Sequence, residues 1–221
     1  MPARVLVIGD LHLPAEREDY LDFCINLKKK YRTNTTVFIG DVIDHQAISF
    51  HQKHPESEAA MSEYSSVMQS LKEWKKKFPK ARVCIGNHDE RVHRIASSSG
   101  IPSVYLKDYQ TVYGTPNWDW EHEFEIDGVY YTHGTGTSGA RPAMAIAMAR
   151  GQSVVAGHVH SIGAINCMTG PTDRLIYGFN VPTGVDRHHK AMYYGRNFLK
   201  KPVNGAGVVI DGKPYMELMY E

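Results

Sequence analysis

The chain has 221 residues, 42% of them hydrophobic and 22% charged, and a formal charge of +1. This is the balance of an ordinary soluble globular protein with a sizeable core, too near neutral for a global field to draw it to nucleic acid or membrane. Three cysteines (Cys24, Cys84, Cys167) without CxxC spacing argue against a disulfide framework, and no segment approaches the roughly 18 apolar residues of a membrane span.

The first half alternates between strand and helix patterns. Arg4–Ile8 is a short β-branched apolar run ending in Gly9-Asp10. Residues 16–30 place Tyr20, Phe23, Cys24 and Leu27 at helical spacing. A second β-rich run over 35–39 ends in Gly40-Asp41. A long helix is predicted over 57–78, with Met61, Tyr64, Val67, Met68, Leu71, Trp74 and Phe78 on one face. The third run, 82–85, contains Cys84 as a small core residue and leads into Gly86-Asn87-His88-Asp89-Glu90, where Glu90 opens the next helix. This order predicts right-handed βαβ units and a parallel sheet. The aromatic-rich stretch 101–120 reads as a long loop packed by its own rings.

The second half has a different texture. Glu123–Ile126 and Val129–Thr132 flank Asp127-Gly128, a hairpin signal. A short helix over 143–150 closes at Gly151, and Ser153–Ala156 is a further strand ending in Gly157-His158. The tail repeats the hairpin device with 207–210, Asp211-Gly212 and 214–218. Two sheets are expected, one mostly parallel and one mixed, packed together with helices outside. No repeat or linker interrupts the chain, so residues 1–221 are expected to form a single domain. The N-terminal apolar run is too short for a signal sequence, which makes the cytoplasm the expected location.

Five apolar runs end alike. They deliver Asp10 and His12; Asp41, Asp44 and His45; Asn87, His88 and Asp89; His133; and His158 and His160. In a parallel α/β sheet the carboxyl ends of the strands gather on one rim, where binding crevices form. Asp, Asn and His without thiolate suit a hard or borderline divalent ion. Even seven ligands drawn from this set are too many for one ion and suit two that share a carboxylate. A pair about 3.5–4 Å apart can clamp the attacking and leaving oxygens of an in-line displacement at phosphorus.

GDLH, GDVID, GNHDE, THG and GHVH, in this order between Asp10 and His160, resemble the five motifs of the calcineurin-like metallophosphoesterases. The resemblance implies a four-layer α/β/β/α sandwich of two mixed sheets with flanking helices. It assigns Asp10, His12 and His160 to one metal and Asn87, His133 and His158 to a second, with Asp41 bridging. It also gives His88 to the leaving oxygen, oriented by Asp89. The implied cofactors are two divalent ions, manganese first, with iron, zinc, nickel or magnesium as alternatives. The implied reaction is attack of a metal-bound hydroxide on a phosphoester. His45 follows Asp44 where the protein serine/threonine phosphatase branch has an arginine, so the motifs leave the phosphate-gripping side chain unassigned.

Beyond the motifs, aromatic and basic residues interleave over 187–201, as they do on surfaces that stack bases and track phosphates. A loop packed by its own tyrosines reads equally well there. His45, Arg187, His188, His189 and Arg196 are the candidate substrate contacts. The expected substrate is a phosphodiester, a nucleotide or single-stranded nucleic acid. The alternatives are a phosphomonoesterase on a small metabolite or phosphoprotein, and an inactive metal-stabilised interaction module.

Overall fold

The computed structural model describes residues 2–170 and 173–220. Strand β1 (Arg4–Ile8) leads through a turn to helix α1 (Tyr20–Tyr31), and β2 (Thr35–Phe38) to α2 (Ala60–Lys77). Next come β3 (Ala81–Cys84), α3 (Arg91–Ser98), the one-turn α4 (Tyr109–Tyr113) and β4 (Trp118–Glu121). The hairpin of β5 (Glu123–Ile126) and β6 (Val129–Thr132) precedes α5 (Pro142–Arg150) and β7 (Ser153–Ala156). The chain closes with β8 (Ala164–Thr169), β9 (Leu175–Asn180), β10 (Gly205–Ile210) and β11 (Lys213–Leu218).

The strands form two mixed sheets, one of six in the order β11-β10-β1-β2-β3-β4 and one of five in the order β5-β6-β7-β9-β8. Side-chain alternation sets the layers. In β1, Leu6 and Ile8 face α1 and α2, beside Leu27, Leu71 and Trp74. Val5 and Val7 face the other sheet, against Tyr131, Val155 and Phe179. In β7, Val155 points into that inter-sheet core, while Val154 and Ala156 pack on Met144 and Ala147 of α5. Both faces of both sheets are therefore covered, which is the expected α/β/β/α sandwich.

Several elements depart from the sequence reading. Helix α1 starts at Tyr20, not at 16, because the preceding residues pair with a distant segment: Glu16 bridges Val185 and Arg17 N donates to Gly184 O at 2.8 Å. Met61 and Tyr64, near the start of α2, are exposed, and the Tyr64 hydroxyl donates to the Val112 carbonyl at 2.9 Å. The stretch read as an aromatic loop ends in a strand: β4 pairs in parallel with β3, burying Trp118 and Trp120 and exposing Asp119 and Glu121. The sequence pattern misses β8, a largely exposed edge strand in which Asn166 breaks the apolar run, and β9, in which Gly178 and Asn180 do so. Gly178 is needed for packing: a Cβ there would overlap the Met144 backbone of α5.

Candidate metal centre and its cleft

Parallel pairing of β1, β2 and β3, and of β6 and β7, brings five strand ends to one rim. His160 Nε2 lies 3.1 Å from Asp10 Oδ2 and 3.1 Å from His12 Nε2. His12 Nε2 lies 3.5 Å from Asp41 Oδ2, and His133 Nε2 lies 3.1 Å from the same oxygen. His133 Nε2 is also 3.2 Å from Asn87 Oδ1 and 3.2 Å from His158 Nδ1. Asp10, His12, Asp41 and His160 thus form one cluster and Asp41, His133 and His158 a second, with donor atoms in each within 4.8 Å of one another. Asp41 belongs to both.

The donor chemistry of these clusters fits cations. His133 Nδ1 donates to the Ile39 carbonyl at 3.0 Å and His12 Nδ1 to Asp44 Oδ1 at 2.8 Å. In the neutral tautomer each ring then turns a bare Nε2 lone pair toward other acceptors, an arrangement that a metal ion satisfies. Asp10 Oδ1 is buried without a hydrogen-bond partner among the described residues. Without ions, protons must serve instead. Burial works against charge on His133, but Asp41 and Asp10 outweigh it and raise its pKa to about 10.

The turns that present these groups are strained or tightly packed. His12, Asp41, His45 and His158 all have positive φ, between 47° and 70°, which for residues other than glycine is sparsely populated and gathers at functional sites. The glycines ahead of the ligands make room for carboxylates. A Cβ on Gly86 would overlap the Asp41 side chain, and one on Gly157 would overlap Asp10 Oδ1.

His88 lines the same cleft as the clusters, but its orienting partner is not the expected one. Asp89 turns away from it and ties two loops together, accepting from Ile43 N and Gly86 N, each at 2.9 Å. Burial, reinforced by Asp41, pushes Asp89 up to about 7. The carboxylate that meets His88 is Asp44, whose Oδ1 accepts from His88 Nδ1 at 2.8 Å. Burial alone would raise the pKa of Asp44; hydrogen bonds from His12 and His88 hold it well below the usual carboxylate range. The resemblance implies Asp89 for this role; in the structure Asp44, the last residue of GDVID, holds it.

Arg91 escaped the sequence reading altogether. Buried at the start of α3, it donates from Nη1 to the carbonyls of Asp44 and His45, each at 2.8 Å, and lays Nη2 against the His88 ring, 2.9 Å from Nδ1. Two of the expected substrate contacts, His45 and His189, do not line the cleft. His45 is held between the His88 carbonyl and the Tyr113 hydroxyl, both at 2.9 Å, away from the cleft. His189 caps a 3-10 helix (Lys190–Gly195) by accepting from Ala191 N. Arg187, His188 and Arg196 do line the cleft, whose volume is about 1260 Å³.

The sequence profile of the calcineurin-like phosphoesterases matches residues 3–201. Vacuolar protein sorting 29 from Cryptosporidium parvum is a similar solved structure, with 13% identity, coverage of 98% of this chain and 96% of that one, and a TM-score of 0.46. The Pseudomonas putida nuclease MPE has 13% identity, coverage of 96% and 87%, and a TM-score of 0.42. Yfce, a phosphoesterase from E. coli, has 15% identity, coverage of 96% and 96%, and a TM-score of 0.42. No curated protein matches the chain. A family profile that spans nearly the whole chain decides its membership: this protein belongs to the calcineurin-like phosphoesterases.

Proposed function

We propose that the protein is a dinuclear metal-dependent phosphodiesterase acting on nucleotide or nucleic-acid phosphodiesters. The observation that carries this reading is the sharing of Asp41 by two Asp/His clusters at the foot of a cleft that His88 also lines. Asp10, His12 and His160 would hold one ion and Asn87, His133 and His158 the other; their nitrogen and oxygen donors, without thiolate, suit manganese, iron or zinc, of which manganese is the ion we propose. When bound, such a pair lowers the pKa of water and neutralises charge building on phosphoryl oxygens.

The chain's own side chains supply the rest. Hydrolysis joins the oxygen of one water to phosphorus and breaks the bond to the leaving oxygen. His88, with Nδ1 committed to Asp44, delivers a proton from Nε2 to that oxygen. The diester reading is supported by a cleft far larger than one phosphate and by the sequence, in which His45 replaces the arginine that grips phosphate in the protein serine/threonine phosphatase branch. A cytoplasmic location belongs to the same proposal; an exposed free thiol, Cys167, suits a reducing compartment.

The test is turnover by the manganese-loaded protein of bis-p-nitrophenyl phosphate against p-nitrophenyl phosphate. Higher kcat/KM on the diester is expected. Preference for the monoester would overturn the diester assignment, and turnover of neither would overturn the enzymatic one.

A further inference from the structure

The wall of the cleft formed by residues 187–202 is far more cationic than the protein as a whole. Arg187, Arg196, Lys200 and Lys201 line the cleft, and the single carboxylate among the described lining residues is Asp41, at the metal clusters. The whole chain carries a formal charge of only +1. Positive charge is therefore concentrated where a substrate would extend beyond the clusters, the complement of a polyanion.

This wall is a fixed surface. Ala191 and Met192 are buried with Ala15 and Val185. The Tyr194 ring stacks on His51 at 5.2 Å, Tyr193 meets the edge of His54 at 5.0 Å, and Arg196 donates to Gln52 Oε1 at 3.2 Å. Lys201 Nζ donates to the Arg196 carbonyl at 2.9 Å. The two tyrosines are thus spent on packing. Phe198 is not: one edge contact with Tyr194, at 6.2 Å between ring centroids, orients it, and it stays 58% exposed. Leu199 beside it is fully exposed at 100%, and Lys200 follows. An oriented, exposed aromatic among cations on the wall of a cleft has the composition of a single-strand binding surface.

We propose that the cleft holds single-stranded nucleic acid, with Phe198 as the platform for a base flanking the scissile phosphodiester and Lys200 and Arg196 facing the neighbouring phosphates. This rests on the phosphodiesterase reading above and narrows its substrate from nucleotide and nucleic-acid diesters to a single strand. A lipid surface could also take an exposed Phe-Leu pair next to lysine. The cations are exposed but line one concave cleft together with His160 and Ser161, a shape that favours a flexible chain over a flat sheet of headgroups.

The experiment compares the manganese-loaded protein with its Phe198→Ala, Phe198→Trp and Lys200→Glu variants. Turnover of bis-p-nitrophenyl phosphate and of a fluorescent twelve-residue oligothymidylate is measured, together with binding of that oligonucleotide by anisotropy. For Phe198→Ala we expect the ratio of oligonucleotide to bis-p-nitrophenyl phosphate turnover to fall about 5- to 150-fold, the loss of one base–aromatic stack. Phe198→Trp should restore the ratio. Lys200→Glu should weaken binding and flatten its dependence on salt. Good turnover of the small diester with an unchanged ratio in Phe198→Ala would overturn this inference and leave the phosphodiesterase reading standing. No turnover of either substrate would overturn that reading, and anisotropy would still decide the groove. Failure to bind the oligonucleotide, with binding to phosphatidic-acid vesicles instead, would overturn the strand assignment.

Discussion

The Asp44 carboxylate accepts a hydrogen bond from Nδ1 of His88 at 2.8 Å. The same oxygen receives Nδ1 of His12, also at 2.8 Å. One buried anion therefore fixes the tautomer of a proposed metal ligand and of the proposed proton donor. Asp44→Asn keeps the shape but loses the charge that aligns both rings. We expect kcat to fall on the order of 10²-fold, within the range for general acid–base catalysis, and to fall further for poor leaving groups than for p-nitrophenolate. An equal loss across a leaving-group series would remove His88 from proton transfer. His88→Ala should lose turnover while retaining two manganese ions per chain by metal analysis.

As a proposed ligand, His133 should set the pH dependence of metal uptake. Burial lowers its pKa, yet Asp41 and Asp10 prevail and raise it from 6.5 to about 10, so the metal-free protein carries a proton there at neutral pH. An ion needs that lone pair, so loading must release the proton. Apparent affinity should rise roughly tenfold per pH unit up to about 10. Calorimetry in buffers of different ionisation enthalpy reads the release directly; no release would contradict the assignment. The sign for stability is opposite. The raised pKa stabilises the metal-free fold fully below 6.5, and that contribution is lost as pH rises through about 10.

Arg91 joins two carbonyls on the loop after β2 to the His88 ring. Removing it in Arg91→Ala takes the charged donor from both carbonyls, which keep only His88 Nδ1 and Ile48 N; losing hydrogen bonds from a charged donor costs about 1.5–3 kcal/mol. Urea denaturation of the metal-free protein should show that loss. In the metal-loaded variant kcat should drop more than KM rises, because the His88 ring loses its support. A stability loss with intact kcat would confine Arg91 to the fold.

Gly86→Ala changes no ligand but puts a methyl group on the Asp41 carboxylate. Overpacking of this kind costs about 1–3 kcal/mol. Here it should appear as roughly tenfold weaker manganese uptake, because the shared carboxylate must move. Unchanged uptake would show that Asp41 does not hold the ions.

Much of the site was legible in the sequence, for a local reason. Alternating apolar runs announce strands, and Gly9-Asp10, Gly40-Asp41, Gly86-Asn87, His133 and Gly157-His158 follow those runs directly, so parallel pairing alone gathers them on one rim. Strand β9 is harder to read because tertiary packing, not pattern, justifies Gly178, whereas β4 carries a plain apolar/polar alternation, Trp118-Asp119-Trp120-Glu121, hidden only by the aromatic residues before it.

The identity of the converging imidazoles and carboxylates was thus determined by the chain itself. Which way each side chain turns was decided only in three dimensions. The left-handed backbone at Asp41 and His45 aims the intervening loop so that Asp44 reaches His88 while His45 swings to Tyr113. Asp89, adjacent to His88, is drawn to the amides of Ile43 and Gly86 instead. Side-chain direction in a loop depends on backbone dihedrals and on hydrogen-bond partners far along the chain, and neither is written in a run of neighbouring residues.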